Sequence, residues 1–203
     1  MKGLFPYYKT PRFREIAFLL WPLLFLKLAT EKATLRALKA LGPSEVMEIG
    51  GGWGKFARRV SLLLPRARVV SVDSEPAMTE VASKHCKRKN LMFTTGDFYS
   101  LERGAECVLL SGLFVLLWPR EDAMAQLWRL TGRAAVVTLT GSTWFTRALR
   151  RFHHITTGLE IHPIEPEEFR ELAESHGFSC EIITVHGFER SYVAVLRKGN
   201  QPI

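Results

Sequence analysis

The chain has 203 residues, 47% of them apolar and 24% charged, and a formal net charge of +8. That length fits one α/β domain with a modest extension, and the composition supplies a core and argues against global disorder. Its three cysteines, Cys86, Cys107 and Cys180, lie far apart, which excludes metal-ligand spacing and a disulfide framework and reads as reduced thiols in a cytoplasmic protein.

Residues 1–41 stand apart from the rest. They hold eight Lys or Arg and two acids. Within them, residues 16–26 read IAFLLWPLLFL between Arg14 and Lys27. Eleven apolar residues are too few to cross a bilayer, which takes about 20. A signal peptide lacks a clear small-x-small cleavage site here. Pro22 interrupts the run, so the expectation is a pair of short helices packing on the domain or on lipid. Thr30 is expected to cap the next helix, with Leu35, Leu38 and Leu41 at helical spacing and Gly42-Pro43 as its stop.

After Pro43 the pattern alternates. Strands are predicted at 46–49, 68–73, 91–94, 107–110 and 134–139, and helices at 55–64, 76–85, 121–130 and 166–176. Two further apolar runs, 182–185 and 192–196, are joined by 186–190 as a hairpin. Five βα units followed by a hairpin predict a mostly parallel seven-stranded sheet with an antiparallel C-terminal hairpin strand, in a three-layer α/β/α arrangement. The organisation is a helical extension over 1–41 and one domain over 42–203.

The strongest motif is the first strand and its turn, Val46-Met47-Glu48-Ile49-Gly50-Gly51-Gly52-Trp53-Gly54, which runs into an amphipathic helix. Glycines there permit a tight turn and let a ligand lie against bare backbone. The second strand ends in Asp73, nineteen residues after Gly54, where an acid can accept two hydrogen bonds from a ribose. Gly96-Asp97-Phe98 follows the third strand, so a carboxylate can accept from an adenine amino group with Phe98 packed near the ring. The fourth strand runs into Ser111-Gly112. A nicotinamide-dependent oxidoreductase competes for the same acids, but the glycine spacing lacks the x-x before the last Gly that its fingerprint carries.

These residues resemble the class I S-adenosylmethionine-dependent methyltransferases, a Rossmann-like family. Glu48 to Gly54 is similar to the first motif of that family, an acid-x-Gly-x-Gly-x-Gly turn, and Asp73-Ser74-Glu75-Pro76 to the second. Asp97 is similar to the third and Ser111 to the fourth, while Glu165 to Phe169 with Gly177-Phe178 resembles a later segment. The resemblance spans about residues 45–198. It implies that Gly50, Gly52 and Gly54 shape the turn around the methionine part of S-adenosylmethionine, and that Glu48 accepts from its ammonium, directly or through water. It further implies that Asp73 with Ser74 holds the ribose, Asp97 and Phe98 the adenine, and that Ser111 lines the site.

The methyl acceptor is less legible. Methyl transfer is chiefly positioning, and a base is needed only for a protonated nucleophile. Ser111-Gly112-Leu113 is not the Asn-Pro-Pro-aromatic run of base-amino methylases, and no His stands near Leu117 or Trp118, where many small-molecule members carry one. Ser142, Trp144, His153, His154 and His162 remain as candidates after the fifth strand; for the three histidines a loop or surface role outweighs a catalytic one. Tyr7 and Tyr8 are candidates to close over the cofactor or to sit at an interface.

Three readings follow. The first is an enzyme that methylates a small, apolar molecule, with the apolar N-terminal segment as lid. The second is a nucleic-acid methyltransferase, motivated by the charge and by Lys84, Lys87, Arg88 and Lys89. The third is a membrane-associated protein that binds the cofactor without catalysis. Residues 1–30 also suit peripheral contact with an anionic membrane surface, so the expected location is cytoplasmic, with the membrane periphery as the variant. No metal is expected.

Overall fold

The computed structural model of the chain describes residues 21–141, 160–185 and 191–199, with side chains from Leu28 onward. Helix α1 covers Trp21–Leu41 and leads into β1, Glu45–Ile49. Then come α2 (Lys55–Leu63), β2 (Arg68–Asp73), α3 (Pro76–His85), β3 (Leu91–Thr95) and β4 (Ala105–Ser111). The remainder is α4 (Arg120–Leu130), β5 (Thr131–Thr140), α5 (Pro166–Ser175), β6 (Phe178–Val185) and β7 (Ser191–Lys198).

The seven strands form one sheet in the order β3-β2-β1-β4-β5-β7-β6. β1 to β5 are parallel, and β7 inserts antiparallel between β5 and β6. The strand reading therefore holds, with β4 and β5 starting earlier than their apolar runs because Ala105 pairs with Thr131 across a bulge. The hairpin connection, residues 186–190, lies outside the described residues.

Alternation along the strands sorts the core into two layers. Val46, Val69, Leu109, Val136 and Val195 pack under Leu38 of α1 and Phe56 and Val60 of α2. Their neighbours Met47, Val108, Leu110, Val137 and Leu196 pack on the other face under Met124 and Leu127 of α4 and Phe169 of α5. α3 joins the first layer, where Cys86 at its end is buried with that cluster.

Helix α1 corrects one expectation. It runs without a break through Thr30, whose carbonyl accepts from the Thr34 hydroxyl at 2.8 Å, so Thr30 is interior to the helix and does not cap it. From Pro22 onward the described helix runs on without interruption to Leu41. α1 ends just before β1, and the Leu41 carbonyl accepts from Arg133 near the start of β5, so its C-terminus lies at the amino edge of the sheet. No described helix is long and apolar enough to cross a membrane.

Candidate active site

The connections leaving the carboxyl ends of β1, β2, β3 and β4 converge, and they carry Gly50, Gly52, Gly54, Asp73, Ser74, Asp97 and Ser111. The crevice at the carboxyl edge lies between β1 and β4, where the strand order reverses, the usual ligand position in such sheets. The turn after β1 is pinned to β2: the N–H groups of Gly50 and Gly51 both donate to the Val72 carbonyl, at 2.8 and 3.1 Å. Gly51 was absent from the expected site, yet it is the most constrained glycine of this turn. A Cβ there would lie 1.9 Å from Ser71 Oγ and 2.9 Å from Glu48 Oε2. Gly52 differs: its φ is +51°, and a Cβ would meet nothing within 4 Å.

Asp73 ties the second connection to the first. Its Oδ2 accepts from the Gly52 N–H at 2.7 Å and its Oδ1 from the Glu75 N–H at 3.0 Å. A carboxylate offers about four acceptor positions, so capacity remains for two hydroxyl donors. The next connection follows suit, since Gly96 N–H donates to the Asp73 carbonyl at 2.9 Å. Asp97 then caps a 3-10 turn, accepting from the Tyr99 N–H at 3.0 Å.

Two expected residues are turned inward. Glu48 is 2% exposed on the α2 face, beneath the turn, with the Ser71 hydroxyl donating to it at 2.9 Å. Burial pushes its carboxyl up to about 7, the Ser71 hydrogen bond opposing the shift and the Asp73 charge adding to it. Phe98 is 4% exposed and belongs to the core on the α4 face, where Gln126 of α4 donates to its carbonyl. The exposed ring beside Asp97 is that of Tyr99, at 38%, whose hydroxyl donates to the Trp118 carbonyl at 3.4 Å. Position along the strand was readable; the face taken at its end was set by packing.

On the β4 side, the Gly112 N–H donates to Thr138 Oγ1 at 2.6 Å, and Leu113 packs beside Gly50. His162 is brought beside Trp118 from the segment before α5. Its backbone N–H donates to the Val115 carbonyl at 2.7 Å, and its ring stacks on Trp118, with centroids 4.7 Å apart and planes at 25°. Trp118, 58% exposed, also has Arg120 at 5.7 Å from its ring. Nothing in the sequence pairs residues this far apart. Tyr7, Tyr8, Ser142, Trp144, His153 and His154 lie outside the described residues. Among the described residues no group of His, Cys, Asp or Glu could hold a metal ion.

A family model described as a methyltransferase domain matches residues 46–133, which span the glycine turn, both acids and the end of β4. That match spans less than half of the chain, and over it the residues are similar to a methyltransferase domain. The fold is similar to magnesium protoporphyrin IX methyltransferase from Synechocystis PCC 6803 with bound SAH, at a TM-score of 0.68 and 16% identity over 85% of this chain and 84% of that one. It is also similar to human N-acetylserotonin methyltransferase in complex with SAM, at 0.66 and 18% over 84% of this chain and 52% of that one. A TehB-like SAM-dependent methyltransferase from Corynebacterium glutamicum gives 0.60 and 18%, over 82% and 87%. At such identities the likeness is one of fold. No curated protein matches the sequence. The residues present would fit S-adenosylmethionine: open space lies above Gly52, beside an acid with unused acceptor positions.

Proposed function

We propose that this protein is a methyltransferase that transfers the methyl group of S-adenosylmethionine to a small, apolar acceptor at the carboxyl edge of the sheet. The observation that carries the acceptor class is the apolar wall that follows β4: Leu113 packs beside Gly50, and Trp118 is 58% exposed. Apolar lining beside the crevice favours an apolar acceptor. The fold relatives named for magnesium protoporphyrin IX and for N-acetylserotonin agree with a small molecule.

Bound S-adenosylmethionine supplies a methyl group on a positively charged sulfur, already activated for displacement. The protein binds and orients. In this reading the bare backbone of Gly50, Gly52 and Gly54 admits the methionine part, and Ser71 with Glu48 braces the turn from below. Asp73 accepts from both ribose hydroxyls while keeping its two backbone donors, and Ser74 flanks it. Asp97 accepts from the adenine amino group, with Phe98 as the core under that turn. Ser111 and Leu113 border the reacting end, and His162 with Trp118 forms wall.

The nucleic-acid reading has less support. Lys84, Lys87, Arg88 and Lys89 follow the outer flank of α2, with Cys86 Sγ donating to the Trp53 carbonyl at one end and Asn90 bonded to the α2 terminus at the other. The test is a radiolabelled methyl group supplied with apolar metabolite extract, total RNA or no acceptor. Label is expected in the organic-extractable fraction; label recovered in RNA, or none above the blank in the extract, overturns the proposal.

A further inference from the structure

The buried face of α4 is formed by Ala123, Met124, Gln126, Leu127 and Leu130, and Gln126 is the polar member of that set. It is 7% exposed, while its neighbours on the helix belong to the apolar core. An amide at such a position is costly unless paired, and an apolar residue of similar size would pack there without that cost. Its pairing is directed. Nε2 donates to the Phe98 carbonyl at 2.8 Å and to the Leu101 carbonyl at 3.0 Å, so both amide N–H bonds go to one connection, residues 96–101 between β3 and β4.

That connection carries Asp97. Asp97 Oδ1 accepts from the Tyr99 N–H at 3.0 Å, and the Asp97 carbonyl accepts from the Ser100 N–H at 3.0 Å. The carboxylate is therefore tied to the 3-10 turn Phe98–Ser100 and turns with it. The Gly96 N–H, donating to the Asp73 carbonyl at 2.9 Å, fixes where this connection begins. Gln126 fixes how it is turned, because bonds to two carbonyls three residues apart prevent a pivot about either one. Arg129 also donates to the Leu101 carbonyl, at 3.1 Å from the exposed side, whereas the carbonyl next to Asp97 is the one that Gln126 reaches from the core.

We infer that Gln126 is a positioning residue for base recognition: through the Phe98 and Leu101 carbonyls it aims the Asp97 carboxylate, and with it sets the preference of the site for adenine over a base without the amino group. The inference rests on the proposed reading in which Asp97 accepts from the adenine amino group. A carboxylate accepts from that amino group and repels a carbonyl oxygen in its place, and this discrimination depends on its direction. Phe98 is packed in the same apolar cluster as Met124 and Leu127, so removing the amide leaves the turn near its place and releases its orientation.

The experiment is calorimetry of the full chain with S-adenosylhomocysteine and with S-inosylhomocysteine, which carries an oxygen where adenine has its amino group. The parent is expected to prefer the first by about tenfold or more, and Asp97→Ala to lose that preference. Gln126→Met keeps the length of the side chain and removes both donors; it is expected to reduce the preference to about twofold or less. Gln126→Glu regains one donor when protonated, so its preference is expected to be partly recovered in mild acid and lost in mild alkali. Asn90→Ala, which removes a bracket at the end of α2, is the control for general loss of stability and is expected to keep the full preference. Full preference in a folded Gln126→Met, with Asp97→Ala abolishing it, overturns the inference and leaves the Asp97 reading in place. Absence of a preference in the parent, or its persistence in Asp97→Ala, overturns that reading and the inference with it. Loss of preference in Asn90→Ala, or failure of both Gln126 variants to fold, assigns Gln126 to stability alone and overturns the inference.

Discussion

At the scale of single residues, Gly51 and Gly52 are neighbours with opposite constraints. A methyl group on Gly51 collides with the buried Ser71 hydroxyl that supports Glu48, a cost inside the apoprotein. A methyl group on Gly52 meets open space and costs only the positive φ, about 1–2 kcal/mol for an L side chain. Gly51→Ala is therefore expected to lower unfolding free energy by about 1–3 kcal/mol, and Ser71→Ala in the same chain to recover part of that loss. Gly52→Ala is expected to fold, to gain nothing from Ser71→Ala, and to bind S-adenosylmethionine at least tenfold more weakly, because its methyl group enters the space above the turn. Chemical denaturation and calorimetry on the four variants separate these effects. Equal cofactor affinity in Gly52→Ala would remove the turn from the site. Sequence spacing alone marked Gly50, Gly52 and Gly54; only the side chain beneath the turn reveals Gly51.

At the scale of elements, what the sequence showed depends on how local the cause is. The alternation of strand and helix was legible because periods of 2 and 3.6 are written into neighbouring residues, and Asp73 and Asp97 were legible because each follows an apolar strand. The continuity of α1 was not, since Pro22 and Thr30 each have two local readings and packing of Thr34, Ala37 and Leu38 on the sheet decides between them. Glu48 and Phe98 were placed correctly along the chain but not by face, and the His162–Trp118 stack exists only in three dimensions. Asn90 belongs to the same class. Its side-chain amide lies 3.0–3.2 Å from the carbonyls of Ser61, Leu64 and Ala67, closing the end of α2 onto the start of β3. The Ser61 and Leu64 carbonyls belong to the end of α2, the latter also accepting from the Ala67 N–H at 3.0 Å, and Ala67 stands just before β2. Asn90→Ala is expected to cost about 1–3 kcal/mol of stability by denaturant titration, with cofactor affinity within twofold of the parent. A loss of affinity without a loss of stability would show that this bracket serves the site and not the fold.

At the scale of the whole molecule, the sheet traps one ionisable group whose proton is coupled to folding. Glu48 lies between β1 and the turn, on the α2 side, and burial pushes its carboxyl from 4.5 to about 7. The unfolded chain releases this proton near pH 4.5 while the folded chain keeps it until about pH 7, so the folded state binds more protons throughout that window and stability falls as pH rises through it. The loss is complete above the folded value and amounts to at most about 3 kcal/mol, at 1.36 kcal/mol for each pH unit of difference. Glu48→Gln keeps a carbonyl oxygen for the Ser71 hydroxyl and cannot ionise. The variant is therefore expected to match the parent near pH 4.5, to grow steadily more stable than it up to about pH 7, and to hold a constant advantage beyond. The difference between the two unfolding free energies, measured by urea titration at successive pH values, isolates this group from every other that titrates. Parallel curves would mean that Glu48 is ionised in the folded apoprotein, which would require a cationic partner beneath the turn beyond the Ser71 hydroxyl and the Ala57 backbone.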